Sequence, residues 1–309
     1  MGRKTICHKQ NDPSFKNIVE SRGEKMKLKH FLLAGIGLMV TGGLLAGVTY
    51  AYGAQKNLTW ENGPKLIEMT QETQKISADK KIDRLEISAE NQAVIIKRGL
   101  DFEVTTVHEK KSKPIISIKD NTLAIAGNEK ERNTLISVED DTAKIIITIP
   151  KNIVLSEIKI EGNNSPIELD EVKSNAISTN TYGGALTLTN IDADKLTGDD
   201  KLGSIYINDA TIQQMAVSTS DSQLSLEGLA ASTKGKIDLQ NSHLDLYEME
   251  ENNLDIQLSG DSHLEKNGEE ITTESFGQKD KTLTITGQNS VVQILDDTES
   301  DYDDYNDYD

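Results

Sequence analysis

The chain has 309 residues, a net charge of -18 and 4% aromatic residues, so any core it builds is aliphatic. Its acidity argues against a nucleic-acid partner, because phosphate binding needs clustered Lys and Arg. Cys7 is the single cysteine, which excludes a disulfide framework and a thiolate metal cluster and suits a reducing compartment for the amino terminus.

Residues 1–30 carry eight Lys or Arg against three acids and read as a basic cytoplasmic segment. Phe31 to Tyr52, "FLLAGIGLMVTGGLLAGVTYAY", follows without a charge over 22 residues. As a helix it measures about 33 Å, enough for a hydrocarbon core of about 30 Å. A single transmembrane helix is therefore expected over 31–53. Arg22, Lys25, Lys27 and Lys29 lie before it and only Lys56 lies shortly after, so the positive-inside bias puts the N-terminus in the cytoplasm and the C-terminal domain outside the cell. Translation from Met26 with cleavage near Ala51–Gly53 is the rival reading. The apolar run exceeds the usual signal-peptide core of about 7–15 residues, which favours an uncleaved signal anchor. Gly35, Gly37, Gly42, Gly43 and Gly47 also offer a small-residue face for helix packing.

Residues 54–80 read as a stalk, with a short helix placed at Pro64 by its fitness for a first turn. From residue 81 the hydrophobic period becomes two. "IDRLEISA", "AVIIKRG", "FEVTTV", "PIISIKD", "NTLAIAG", "TLISVED" and "KIIITIP" alternate apolar and polar residues, which predicts an N-terminal β-strand block over 81–150. His108 lies in one of these strands beside "EKK" and is expected at the surface.

Beyond Pro150 a repeat emerges. "SPIELDEV", "GALTLTNI", "GSIYINDA", "SQLSLEGL" and "SHLDLYEM" begin their apolar triads at 167, 186, 205, 224 and 244, at intervals of 19–20 residues. A second apolar point precedes each of the first four triads, at Ile158, Ile177, Leu196 and Met215. Ile237 does so less regularly for the fifth, and Leu254 with Ile256 opens a degenerate sixth ending near Leu264. Turn-formers such as "NTYGG", "GDDKLG" and "TSDS" separate the strands.

The expected fold is thus all-β: a β-solenoid of about 19–20-residue coils over 151–295, with an N-terminal strand block and one preceding transmembrane helix. Its core is predicted at Ile167, Leu169, Leu186, Leu188, Ile205, Ile207, Leu224, Leu226, Leu244 and Leu246. The strands "KTLTITG" and "SVVQIL" are expected to cap its C-terminal end, where unpaired edges need cover. Residues 296–309, "DDTESDYDDYNDYD", hold eight acids and no base and read as an acidic disordered tail. Its carboxylates, with Tyr302, Tyr305 and Tyr308, also suit weak capture of Ca2+ or cationic peptides.

"PIISIKDNTLAIAG", the closing "KIIITIPKN" and rungs such as "GALTLTNI" resemble the "putative adhesin" family of bacterial β-strand-repeat proteins, a domain of unknown function, over roughly residues 80–295. That resemblance implies cell-surface display, frequently in Gram-positive bacteria, and for some members a link to membrane-stress signalling.

Successive coils place a column at Asp221, Asn241 and Asp261, followed by Ser222, Ser242 and Ser262, with His243 and His263 after them. Acid and imidazole on adjacent coils suit a metal or a polysaccharide-acting site, so Asp221, Asp261, His243 and His263 are the metal candidates. Tight turns require the same residue types, and the turn reading is preferred. No Ser-His-acid, HExxH, phosphate-loop or EF-hand pattern occurs, so neither a catalytic residue nor a cofactor is assigned. The expected role is that of a non-enzymatic, membrane-anchored surface module for a cell-wall polymer or a protein partner outside the cell. Envelope-stress sensing is the alternative, and a β-helix polysaccharide enzyme a disfavoured third.

Overall fold

The computed structural model describes residues 35–44, 57–60, 64–77, 80–130, 134–136, 142–247, 254–272 and 283–295. The chain divides into two units, Met1–Gln55 and Lys56–Asp309. In the first, residues 35–44 are helical and Leu38, Met39 and Leu44 are exposed. No helix among the described residues is long and apolar enough to cross a membrane. The flanks of the span expected over 31–53 lie outside the described residues, as do the basic segment 1–30 and the acidic tail 296–309.

The second unit is built from strands. β1 (Asn57–Trp60), β2 (Pro64–Ile67) and β3 (Met69–Lys75) come first. β4 (Arg84–Glu90), β5 (Ala93–Gly99), β6 (Glu103–Glu109), β7 (Ile115–Lys119), β8 (Thr122–Asn128), β9 (Thr134–Ile136) and β10 (Lys144–Pro150) form the first block. Pairs then repeat: β11 (Leu155–Asn163) with β12 (Ile167–Asp170), β13 (Lys173–Tyr182) with β14 (Ala185–Thr189), and β15 (Asp192–Lys201) with β16 (Ser204–Asn208). β17 (Thr211–Ser220) with β18 (Gln223–Glu227) and β19 (Lys234–Gln240) with β20 (His243–Tyr247) continue the series. β21 (Leu254–Ser259), β22 (His263–Lys266), β23 (Glu269–Ile271), β24 (Leu283–Gln288) and β25 (Val291–Leu295) complete it.

The first strand of each pair joins a ten-stranded sheet and the second a twelve-stranded sheet. Between rungs the pairing is parallel and in register: Leu186 lies opposite Ile167 and Ile205, and Leu224 lies opposite Ile205 and Leu244. A 19–20-residue period returns the chain to the same position one strand spacing, about 4.8 Å, along the axis, so each side chain meets its own equivalent. Period-two alternation then turns one set of columns inward. All ten aliphatics of the predicted repeat core are at most 2% exposed, within one hydrophobic cluster fed by both sheets. The chain is thus mostly β, with two largely parallel sheets wound as a solenoid.

Each rung turns two corners through residues with positive φ. Asn164, Gly183, Leu202, Asp221, Asn241 and Asn289 occupy the first corner, and Glu171, Asn190, Asp209 and Gly228 the second. Gly, Asn and Asp are the residues that enter this left-handed region at least cost, which is why the turn-formers recur at fixed offsets.

The two ends depart from chain order. β24 pairs with β19 on one side and β21 on the other, and β25 lies between β20 and β22. The strands expected as a cap are therefore an interior rung. The degenerate sixth coil of Leu254, Ile256 and Leu264 is the outer one, closed on one sheet by the antiparallel β23. The fit is steric: Gly287 faces Leu239 and Leu258, and a Cβ on it would meet Leu258 Cδ2 at 2.6 Å. The other end mirrors this order, since β4 and β5 lie inside β8 and β10 although they precede them in the chain. There β7, β6 and β3 close the sheets in antiparallel fashion.

Two further expectations are corrected. Pro64 opens strand β2 and pairs with Trp60 where a short helix was expected, a position that a proline, lacking an N–H, tolerates at a strand start. Met69–Lys75, expected in a stalk, is strand β3 against β6, held by the Thr73–Thr105 hydroxyl contact at 2.8 Å and the Glu72–Lys113 ion pair.

Candidate functional site

The first corner carries two ladders. Ser222 Oγ donates to the Ser220 carbonyl at 2.8 Å and accepts the Gly203 N–H, while Ser242 and Ser290 repeat the pattern one and two rungs on. Beside them Asn241 Nδ2 donates to Asp221 Oδ1 at 3.2 Å, and Asn289 Nδ2 donates to Asn241 Oδ1 at 3.4 Å. Asp221 itself has φ 54° and also accepts from Ser220 Oγ. Its carboxylate thus sits in a corner column whose neighbours supply its hydrogen bonds. Asp261 occupies a different place: Gly260 takes the positive φ, and the Asp261 N–H donates to Asn289 Oδ1. The inserted rung puts Asp221 and Asp261 three rungs apart, about 14 Å by strand spacing.

The same insertion separates the histidines, because Val291 stands opposite both His243 and His263. Each imidazole instead pairs with a carboxylate on its own strand. His243 Nε2 lies 2.8 Å from Asp245 Oδ1 and His263 Nε2 lies 3.3 Å from Glu265 Oε1. Gln223 donates to the buried Asp245 and Gln293 to Glu265. Residues i and i+2 share one face of a strand, so the repeated His-x-acid signature was readable once the strand was assigned. Next to this row, burial and the charges of Asp245 and Glu227 push the Tyr247 hydroxyl pKa upward. No group of three His, Cys, Asp or Glu side chains able to hold a metal converges among the described residues.

His108, expected at the surface, is 2% exposed. It follows Val104 and Thr106 on the inward face of β6, and its Nδ1 lies 2.8 Å from the Glu109 carbonyl. The adjacent charged residues concealed an inward position.

Two grooves supply surface chemistry that the repeat pattern did not reveal. One, of about 960 Å³, joins Lys75, Lys80 and Lys81 to the exposed apolar side chains Leu100 and Val154. Beneath it the Arg98 guanidinium donates to the carbonyls of Pro150, Ile153 and Glu171, and burial pushes its pKa downward. The other, of about 540 Å³, runs over the inserted rung and is lined by Ser218, Asp238, Gln240, Gln257 and Thr286. Burial raises the Asp238 carboxyl, but hydrogen bonds from Lys236 and Thr286 outweigh it and hold the pKa below the usual carboxylate range.

The grooves, ladders and imidazole pairs can donate and accept hydrogen bonds over a rigid surface. No curated protein matches the chain. A "putative cell adhesion protein" of Clostridium sporogenes is 10% identical, with 74% of this chain and 100% of that one covered at a TM-score of 0.34. A "putative adhesin" of Bacteroides fragilis is 10% identical, covering 74% and 97% at 0.39. A "putative lipid binding protein" of Parabacteroides distasonis is 15% identical, covering 72% and 96% at 0.37. The family described as Toastrack DUF4097 matches residues 82–275, from the rung opened by β4 through the outermost C-terminal rung, and the chain belongs to that family.

Proposed function

We propose that the protein is a membrane-anchored, non-catalytic surface module whose solenoid binds a partner outside the cell. One observation carries the reading. Asn180, Asp199, Ser218, Asp238, Thr286 and Gln257 form an outward column through six consecutive strands without a register slip. Hydrogen-bonding groups repeated about every 4.8 Å on a rigid sheet suit a linear polymer or an extended peptide. The net charge of -18 selects a cationic partner, or an anionic polymer bridged by divalent ions. The family resemblance to surface proteins and the apolar run Phe31–Tyr52 support the anchored, extracellular placement.

The full-length chain in detergent should be retained on an immobilised anionic wall polymer with Ca2+ present and released by a chelator, and it should bind a cationic peptide without Ca2+. Absence of retention on both supports counts against a binding role. Protease added to intact cells should remove the Lys56–Asp309 unit while sparing cytoplasmic markers; full protection of that unit would reverse the proposed topology.

A further inference from the structure

The chain leaves the solenoid on the same edge that carries the lysine-lined groove toward the other end of the stack. β25 ends at Leu295, and the register carries that position across the twelve-stranded sheet through Tyr247, Glu227, Asn208, Thr189 and Asp170. One strand further on, Ile96 lies opposite both Leu169 and Ile147, so Lys97 and Thr148 continue the line. Just beyond them in the chain, Leu100, Pro150 and Val154 line the groove that also holds Lys75, Lys80 and Lys81. Six strand steps separate β25 from β5 and seven separate it from β10. At the usual strand spacing that distance is about 29–34 Å.

Charge along this edge changes sign. Near the exit Glu227, Asp209 and Asp170 make it acidic. At the groove it is basic: Lys75 and Lys81 are matched by Asp101 and Asp83, but Lys80, Lys97 and Lys151 are exposed and have no carboxylate partner among the described residues. Leu100, 94% exposed, and Val154, 57% exposed, stand among these ammonium groups as apolar side chains left in water. Residues 296–309 have the complementary composition, eight acids and three tyrosines without a base. Fourteen residues span at most about 46–50 Å, so about nine of them cover the distance to the groove. Tyr305, Asp307, Tyr308 and Asp309 then fall at the groove itself.

We propose that the acidic tail folds back along this edge and docks residues 305–309 in the groove. Tyr305 and Tyr308 cover Leu100 and Val154, while Asp307 and Asp309 answer Lys80 and its neighbours. Tethering raises the local concentration of the tail to about millimolar, which populates a contact that would be weak between separate molecules. The groove is thus closed by the chain's own segment, and another anionic ligand binds there only by displacing it.

The test is zero-length carbodiimide crosslinking of the full-length chain in detergent, read by mass spectrometry, with isotope-labelled and unlabelled chains mixed to separate links within one molecule from links between two. At about 20 mM salt Lys80 should join Asp307 or Asp309 within one chain, and the yield should fall at least about fivefold at about 0.5 M. Leu100→Glu removes no amine and alters a side chain outside the core, yet it should lower that yield at least about threefold, because it replaces an apolar contact with a like charge. Independently, at about 20 mM salt a synthetic peptide of residues 296–309 should bind the chain truncated after Leu295 about tenfold more tightly than the intact chain, whose groove is occupied. Exposed ion pairs add little to folding stability, so proximity and competition are the readouts rather than Tm. Tail links that go to Lys173 or Lys234 nearer the exit, links formed only between molecules, a Leu100→Glu yield equal to wild type, or equal peptide binding by the two chains would each overturn the proposal.

Discussion

Deleting residues 283–309 should abolish the cooperative unfolding transition of the solenoid, whereas deleting 296–309 should leave its Tm within about 1 °C. The two truncations differ by one rung, β24 with β25, and that rung is internal. It pairs on both sides in both sheets, so its loss leaves unpaired edges on β19, β20, β21 and β22 together. Leu283, Ile285, Val292 and Ile294 go with it, all at most 6% exposed. At about 1.5–3 kcal/mol each, their burial contributes roughly 6–12 kcal/mol, comparable with the whole stability of an ordinary domain. A terminal rung in chain order would peel away and leave the rest standing. Circular dichroism melts of both truncations against wild type decide the point; a 283–309 deletion that melts cooperatively near the wild-type Tm would place the last strands at the end of the stack.

Leu224→Ala should lower stability by about 3 kcal/mol and Tm by roughly 6–12 °C, and Leu224→Asp should prevent folding. Leu224 is fully buried on β18, with Ile205 and Leu244 directly opposite on the neighbouring strands. Truncation removes its own transfer energy and opens a gap in a column that cannot collapse, because strand spacing holds both neighbours in place. The aspartate adds an unpaired charge to an aliphatic core. Urea unfolding of Leu224→Ala beside Ser225→Ala, its outward neighbour, separates column packing from general strand effects, with Ser225→Ala expected within about 0.5 kcal/mol of wild type. Equal losses from the two changes would contradict the inward column.

Leu224 also marks how far the fold was legible from residues alone. Its period, its alternation and its flanking turn-formers each point to the same stacked strand, and the structure places it so. The candidate metal residues were read as one column in chain order, beside the preferred reading of plain turns, and the rungs there do not follow chain order. His243 and His263 are one repeat apart in sequence and two rungs apart in space, because Val291 enters between them. The inward position of Asp200, 1% exposed on β15, was not legible either: "GDDKLG" reads as a turn, and only the register with Thr181 and Thr219 shows that its second aspartate faces the core.

What the sequence by itself determined is the local code of the repeat: the rung length, the inward columns such as Ile167 to Leu244, and the corners at Asn, Asp and Gly. Those follow from period-two geometry and left-handed turn conformations, which act within a few residues and are written at fixed offsets. Only the tertiary structure decided which rung neighbours which at the two ends, where β4 and β5 lie inside β8 and β10, and β24 and β25 lie inside β21 and β22. Rungs of similar alternation are nearly interchangeable as partners, so their order rests on side-chain volume between strands distant in the chain, as where Leu239 and Leu258 close on Gly287.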